Sequence, residues 1–224
     1  MDVERAGPVA RIFLNRPEKA NALNSAVLGD LRKILEGLVT DDTLRVAVLA
    51  GRGKAFCGGA DTQELKSLTA VNAGAFVERI HAVCKAIRDL PVPVVARLHG
   101  AVIGAGLEIA AACDLRVAAE GTKFAMPEVR LAIPSVVEAA LLPRLMGSGR
   151  AAWLVLTGEA IEARRALEWG LIEEISDGER LLHHLLAADR EALRMQKQLL
   201  QLWDEASLAT SVAASIERFT QVHR

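Results

Sequence analysis

The chain has 224 residues, of which 51% are hydrophobic and 25% charged, and its formal net charge is −1. These values are typical of a soluble globular protein with a sizeable core, and they exclude the strongly basic surfaces that bind nucleic acids. No apolar stretch reaches about 18 residues without a charge. The N-terminal segment has no long apolar run. We therefore predict no transmembrane helix, no secretory signal and a cytoplasmic location.

The three cysteines, Cys57, Cys84 and Cys113, lack the close spacing of metal ligands, and the five histidines are scattered. An odd number of cysteines without a secretory signal is typical of a reducing compartment. We therefore expect buried free thiols and no metal site.

Apolar runs that suit buried strands alternate with segments of helical periodicity through the first two-thirds of the chain. This alternation predicts an α/β fold, followed by a helical C-terminal part. The expected elements up to residue 120 are strand 9–15, helix 25–39 with Ser25 as its N-cap, strand 44–51, helix 72–90, strand 92–100, helix 105–114 and strand 115–120.

After residue 120 the pattern becomes mainly helical. The expected elements are helices 136–147, 150–158 and 162–170, the last C-capped by Gly170, then strand 171–175 and a helical remainder from Glu179. No fixed repeat or low-complexity linker divides the chain, so one continuous domain is expected. Within it we place a core with the functional site at 1–178 and a helical region at 179–224.

Two glycine-rich segments each follow a predicted buried strand, namely "GRGKAFCGGAD" (51–61) and "HGAVIGAGLE" (99–108). A turn of small residues before a helix exposes backbone N–H groups that can hold an anion or a developing oxyanion. Two such turns on neighbouring strands could direct two N–H groups at one oxygen. The alternative is that the glycines serve only to turn the chain.

A dinucleotide site is a weaker interpretation of the second segment. "GAGLEI" begins like the G-x-G-x-x-G motif, but Ile109 stands where the third glycine allows close packing of helix and strand. Glu128 follows at about the distance expected of a ribose-binding acid. A phosphate-binding P-loop is excluded, because "GRGKAF" has neither the glycine spacing nor the Lys-Ser/Thr ending.

Three glutamates interrupt apolar or loop segments and could carry chemistry. Glu108 could instead be a first-turn helix acid, Glu128 a solvated loop acid or a partner of Arg130, and Glu138 a structural residue. Two aspartates, Asp61 and Asp114, are expected to cap helices or form ion pairs.

Several segments, taken in order, resemble the crotonase superfamily of enoyl-CoA hydratases and isomerases. They are "NRPEKANALN", "GRGKAFCGGADTQEL", "PVPVVARLHGAVIGAGLEIAAACDLRVAAEGTKFAMPEVRLAIP" and "LTGEAIEARRALEWGLIEEI", and they extend from about Val9 to Ile175. The resemblance implies a spiral of ββα units with a helical C-terminal trimerisation region. It also implies an acyl-CoA substrate of the kind found in fatty-acid metabolism, no cofactor besides the coenzyme A of that substrate, and a homotrimer or dimer of trimers.

The resemblance also implies roles for particular residues. The N–H groups of Ala60 and Ala105 would bind the thioester oxygen, and Glu108 and Glu128 would transfer protons during hydration. Having both acids favours a hydratase. The alternatives are an isomerase that needs only Glu128, other acyl-CoA enolate chemistry, or a weakly active acyl-CoA-binding protein. Residues expected to contact the substrate are Gly59, Asp61, Gly104, Ser135 and Glu138, and those expected to contact coenzyme A are Arg16, Lys19 and Ala20.

This sequence differs from the family pattern in three places. Ala105 replaces the middle glycine of the second turn and would be strained if its φ were positive. "PSVVEAALLPRL" replaces a glycine-rich stretch, so that Ser135 and Glu138 are expected to reshape the acyl pocket, with Glu138 as a candidate third acid. The sequence ends at "RFTQVHR", so we expect a shortened C-terminal helical region.

Overall fold

The computed structural model describes residues 1–222, which form a large and a small β-sheet surrounded by helices. Within these residues the strands are β1 (Asp2–Ala6), β2 (Val9–Leu14), β3 (Val46–Gly51), β4 (Val94–Leu98), β5 (Ala101–Ile103), β6 (Leu115–Ala118), β7 (Lys123–Ala125), β8 (Ile161–Glu162) and β9 (Glu174–Ile175). The large sheet has the order β1-β2-β3-β4-β6-β9 and the small sheet the order β5-β7-β8.

The helices lie between and after these strands. They are α1 (Ser25–Leu38), α2 (Thr62–Ser67), α3 (Ala73–Asp89), α4 (Ala105–Ala112), α5 (Leu142–Met146), α6 (Ser148–Thr157), α7 (Ala163–Trp169), α8 (Glu179–Ala187), α9 (Arg190–Glu205) and α10 (Leu208–Val222). Short 3-10 helices cover Pro17–Lys19, Pro127–Leu131 and Val137–Leu141.

The chain follows a spiral in which it adds a strand to the large sheet and then one to the small sheet. Strand β4 is followed by β5 and helix α4, and β6 is followed by β7. The pairs β4–β6 and β5–β7 are both parallel, because each turn of the spiral runs in the same direction as the turn before it. A parallel bridge between Cys57 and Val102 continues the small sheet into the preceding turn of the spiral. The predicted α/β spiral is therefore confirmed.

Strand β3 shows why the apolar runs become central strands. Its residues are apolar and buried on both faces, with β2 on one side and β4 on the other. A continuous apolar run is favoured where helices cover both faces of a parallel sheet.

Helix α1 has buried leucines at helical spacing, Leu28, Leu31 and Leu35. The prediction that Ser25 is its N-cap is wrong. Asn24 takes that position, and its side chain accepts a hydrogen bond of 2.9 Å from the Val27 N–H. Ser25 begins the helix and donates its N–H to the Glu64 carboxylate at 2.7 Å, so its position after Asn24 excludes it from the capping role.

Most of the longer predicted elements are confirmed, including the C-cap at Gly170, whose φ is +82°. The single helix predicted over 136–147 is wrong, because a 3-10 helix occupies the first part and the separate helix α5 begins at Leu142, with Pro143 in its first turn. The predicted strand 171–175 is reduced to Glu174–Ile175. The elements that were missed are short: β1, β5, β7, β8 and α2.

The C-terminal helices are joined to the core by a buried lysine on α9. Lys197 donates hydrogen bonds to the carbonyl oxygens of Ile87 at 3.1 Å and Val92 at 3.0 Å, and it lies 2.8 Å from the Asp114 carboxylate. The expectation that Asp114 forms an ion pair is confirmed. The boundary at 178 and the shortening of the region 179–224 stay predictions, and residues 223 and 224 lie outside the described residues. Among residues 1–222, no helix is both long enough and apolar enough to cross a membrane.

Candidate active site

The two glycine-rich turns pack directly against each other. The Cys57 N–H donates to the Ala101 carbonyl at 3.0 Å, and the Ile103 N–H donates back to the Cys57 carbonyl at 3.0 Å. A Cβ on Gly106 would lie 2.7 Å from the Cys57 Cβ, so only glycine allows this approach. These glycines therefore do more than turn the chain, because they bring the two turns into contact.

Two backbone N–H groups are left unpaired where the turns meet. The neighbours of Ala60 pair with Leu23, whose N–H donates to the Gly59 carbonyl and whose carbonyl accepts from the Asp61 N–H, both at 2.8 Å. In such a parallel bridge the N–H of Ala60 points away from Leu23. Ala105 is the first residue of α4, where N–H groups have no partner within the helix. Neither N–H donates a hydrogen bond within residues 1–222.

The residue before Ala60 lies close to the first residue of α4. A Cβ on Gly59, whose φ is +98°, would lie 4.0 Å from the Ala105 nitrogen. Gly104, immediately before Ala105, has a positive φ of +51°, while Ala105 is helical. Alanine at position 105 is therefore not strained by a positive φ, and the glycine that the conformation requires is retained.

Glu108 is the one charged residue of α4, a helix whose residues are all buried. Burial raises the pKa of its carboxyl to about 8, and the charge of Glu128 adds to this rise. The backbone N–H groups of Ala139 and Val136 act in the opposite direction. Glu108 is 3% exposed, which is far more burial than a first-turn helix acid at the surface would show.

Glu128 lies in the 3-10 helix that follows β7, with its carboxylate against the second turn. A Cβ on Gly104 would lie 2.4 Å from Glu128 Oε1. The Ser135 hydroxyl donates to Glu128 Oε2 at 3.1 Å. Burial raises the pKa of Glu128, and the Ser135 hydroxyl partly opposes that rise. Arg130 is not its partner: this guanidinium lies 3.8 Å from the Glu159 carboxylate instead.

Glu138 is the third carboxylate of this region and is 7% exposed. Its Oε1 lies 2.7 Å from Nδ1 of His81 on α3, whereas its Oε2 is buried without a hydrogen-bond partner among residues 1–222. His81 was not among the residues predicted for the site. The sequence placed it on the amphipathic helix 72–90, three residues before Cys84, but did not pair it with Glu138.

The loop after β2 lies beside the first turn and holds Asp61. Arg16 Nη1 lies 3.1 Å from Asp61 Oδ2 and 2.8 Å from the Ala22 carbonyl. Asp61 also caps α2 by accepting from the Gln63 N–H at 2.9 Å. Burial would raise the pKa of Asp61, but the Gln63 N–H and the Arg16 guanidinium together lower it. The expectation that Asp61 is a cap and an ion-pair partner is confirmed.

These contacts bear on the residues predicted to bind coenzyme A. Arg16 is engaged by Asp61, whereas Lys19 and Ala20 are exposed. The Ala20 carbonyl accepts from the Gly58 N–H at 2.8 Å, which fixes this loop to the first turn. Within residues 1–222, no group of three or more potential ligands could hold a metal ion.

A model of the enoyl-CoA hydratase/isomerase family matches residues 4–223. The chain belongs to the enoyl-CoA hydratase/isomerase family. YngF of Bacillus subtilis is 36% identical over 225 aligned residues, which cover 95% of this chain and 85% of YngF. The short-chain-enoyl-CoA hydratase of Clostridium acetobutylicum is 30% identical and is covered over 87% of its length by 97% of this chain.

The solved structures place this member of the enoyl-CoA hydratase/isomerase family in the crotonase fold. The crystal structure of an enoyl-CoA hydratase from Bacillus anthracis superposes with a TM-score of 0.95 at 31% identity, covering 100% of this chain and 91% of the other. The family assignment confirms the resemblance drawn from the sequence and removes the dinucleotide-binding alternative.

Proposed function

We propose that this protein is an enoyl-CoA hydratase-like lyase, which adds water to the α,β double bond of an acyl-CoA thioester. One observation carries the proposal: two unpaired N–H groups, at Ala60 and Ala105, lie on turns that pack against each other beside the buried Glu108 and the half-buried Glu128. Donors and acids in one site are what hydration of a conjugated thioester requires.

The N–H groups of Ala60 and Ala105 would form the oxyanion hole. When water adds at Cβ, electrons move through the double bond onto the thioester oxygen, which becomes an enolate. Two donors fixed by the surrounding backbone stabilise this charge without having to reorganise during the reaction. Each donor is worth about 3 kcal/mol by comparison with the loss of a single oxyanion-hole donor in other enzymes.

The two glutamates would supply the proton transfers. Glu108 takes a proton from the water molecule while the oxygen of that water bonds to Cβ. Glu128 then gives a proton to Cα as the enolate collapses. The starting state therefore needs an ionised Glu108 and a protonated Glu128. Burial raises the pKa of both carboxyls, and two nearby carboxylates resist double ionisation, so that one shared proton is favoured near neutral pH.

The remaining predicted site residues would shape the pocket. Ser135 holds Glu128 by its hydrogen bond, and Gly59 and Gly104 allow the turns to approach each other. We propose that Arg16, Lys19 and Ala20 lie near the coenzyme A moiety. The exposed Lys19 could bind one of its phosphates, whereas Arg16 is paired with Asp61 and would position that residue. Coenzyme A enters as part of the substrate, and the proposed chemistry needs no further cofactor.

We also propose that the protein assembles as a homotrimer or a dimer of trimers in the cytoplasm. Helices α9 and α10 expose apolar side chains along one groove, among them Trp203 at 44%, Leu208 at 81% and Ile216 at 63%. Contiguous exposed apolar surface of this kind favours burial against another chain. The family resemblance assigns trimerisation to this region, and sedimentation equilibrium would measure the assembly.

The test is an absorbance assay that follows loss of the conjugated thioester in crotonyl-CoA and in longer enoyl-CoA esters. We expect wild type to hydrate at least one ester and Glu108→Gln and Glu128→Gln to lower kcat by about 10²- to 10⁴-fold each. Glu120→Gln, which neutralises an exposed acid, is the control and should match wild type.

The pattern of results separates the alternatives. If only Glu128→Gln is inactive and the product is a shifted double bond, the protein is an isomerase. If wild type binds the esters and converts none of them, it is an acyl-CoA-binding protein and the hydratase proposal is wrong.

A further inference from the structure

Glu138 lies near Glu108 but has no part in the proposed mechanism. It is the buried member of the 3-10 helix Val137–Leu141, and one of its carboxylate oxygens has no hydrogen-bond partner among residues 1–222. Burying a carboxylate is costly unless its oxygens are hydrogen-bonded, so that such an atom requires an explanation. Its other carboxylate oxygen lies 2.7 Å from Nδ1 of His81.

The backbone on both sides of Glu138 reaches Glu108. The 3-10 helix Val137–Leu141 packs against α4, and the backbone N–H groups of Ala139 and Val136 lower the pKa of Glu108 against the effect of burial. Between them Val137 has a φ of +39°, in the left-handed region that β-branched residues rarely adopt. Such conformations persist where surrounding contacts enforce them, and they cluster at functional sites.

The side chains that face Glu138 come from α3 and α4. From α3, His81 and the Cys84 thiol face it, and from α4 Glu108 adds a like charge. The cationic side chains on the helices packed against this segment are engaged elsewhere: Arg79 with the Ala75 carbonyl, Lys85 with Asp89, Arg88 with Glu205 and Arg144 with Asp204.

We propose that Glu138, held by His81, is a positioning residue for Glu108. The His81–Glu138 hydrogen bond fixes the segment 136–139 to α3, and so sets the position of that segment against Glu108 on α4. Glu138 also places a negative charge beside Glu108, which raises the proton affinity of that carboxylate and so strengthens it as the base that takes a proton from water. This inference rests on the proposed role of Glu108 as an acid–base catalyst.

Four substitutions separate the hydrogen bond from the charge. Glu138→Gln keeps an acceptor for His81 but removes the charge, and Glu138→Leu removes both. His81→Asn can keep a donor near the position of Nδ1, whereas His81→Leu cannot. Glu78→Gln is the matched control, because it removes an exposed acid from the same helix.

The first readout is the titration of Glu108, followed by NMR of protein labelled with ¹³C at the glutamate carboxyl carbons and assigned by the signal lost in Glu108→Gln. We expect Glu138→Gln to move the Glu108 midpoint from about 8 toward the ordinary glutamate range. Glu78→Gln should leave the midpoint in place. An unchanged midpoint in Glu138→Gln overturns the effect of charge.

The second readout is the dependence of kcat and KM on pH. His81→Leu should lower kcat by about 10- to 100-fold with little change in KM, and His81→Asn should restore most of that loss. Equal kcat values in wild type and His81→Leu overturn the positioning role. If wild type hydrates no ester, the proposed function fails, but the NMR titration still decides whether Glu138 acts on Glu108.

Discussion

Helix α4 and the segment 127–141 pack against each other around Glu108, Glu128 and Glu138, but only α4 belongs to the hydrophobic core. Every residue of α4 is buried, whereas the segment 127–141 exposes apolar side chains such as Leu131 at 60% and Ile133 at 40%. Glu138 is the one buried side chain of that segment. We call these two parts the α4 wall (104–112) and the loop wall (127–141).

The difference shows two ways of fixing a catalytic group. In the α4 wall, close packing of small side chains sets the helix and with it the Ala105 N–H and Glu108. In the loop wall, individual hydrogen bonds set the groups: Ser135 to Glu128 and His81 to Glu138. Packing is distributed over many contacts, while a hydrogen bond can be removed by one substitution. The two walls should therefore respond differently to mutation.

The largest effect is expected from deleting the backbone donor of the α4 wall. Ala105→Pro removes the N–H at the first helical position, where proline is favoured, so that α4 should stay intact. We expect kcat to fall by about 10²- to 10³-fold. Ser148→Pro makes the same change at the first position of α6, away from the site, and should keep the wild-type rate. Comparable rates in wild type and Ala105→Pro would show that this wall contributes no oxyanion donor.

The next largest effect is the change in the free energy of unfolding when a buried acid is made neutral, which can be compared between Glu108 in the α4 wall and Glu128 in the loop wall. The folded-state pKa of Glu108, about 8, lies above its ordinary value of 4.5. The neutral carboxyl therefore contributes fully to the free energy of unfolding below pH 4.5, and this contribution is lost as the pH rises through 8. Glu108→Gln stays neutral, so its free energy of unfolding should exceed that of wild type by on the order of 3 kcal/mol at pH 9 and by much less at pH 5.

Glu128→Gln provides the comparison from the loop wall, measured by the same denaturant unfolding. Glu128 is less buried than Glu108, and the Ser135 hydroxyl opposes the rise of its pKa, so we expect a smaller gain at pH 9. A larger gain in Glu128→Gln than in Glu108→Gln would reverse the contrast between the walls.

The same contrast explains which features the sequence could predict. The α4 wall and the central strands have strong apolar patterns, so that helix 105–114 and strand 44–51 were located correctly and Glu108 stood out. The family resemblance assigned roles to Ala60, Ala105 and Glu128 together. Local sequence patterns alone had left those roles open. The positive φ at Gly104 could not be predicted, because it depends on the turn that packs against it.

The loop wall was harder to predict for a physical reason. Its apolar run 136–147 has helical composition, but Pro143 and the strained Val137 divide it into two short helices. The contact between His81 and Glu138 joins residues that are 57 positions apart, and a single sequence contains no signal for such a pair. Tertiary contacts override local propensity most easily where the local pattern is short.

The smallest effect tests the hydrogen bond that holds Glu128 in the loop wall. Ser135→Ala removes the hydroxyl that donates at 3.1 Å and lowers the pKa of Glu128. We expect kcat to fall about tenfold, since a net hydrogen bond to a charged group contributes about 1.5 kcal/mol. The limb of the kcat–pH profile that belongs to Glu128 should also move to higher pH. Ser135→Thr keeps the hydroxyl and should retain both the rate and the profile. If Ser135→Ala and Ser135→Thr behave alike, the hydroxyl does not position Glu128, and packing rather than hydrogen bonding must fix the loop wall as it fixes α4.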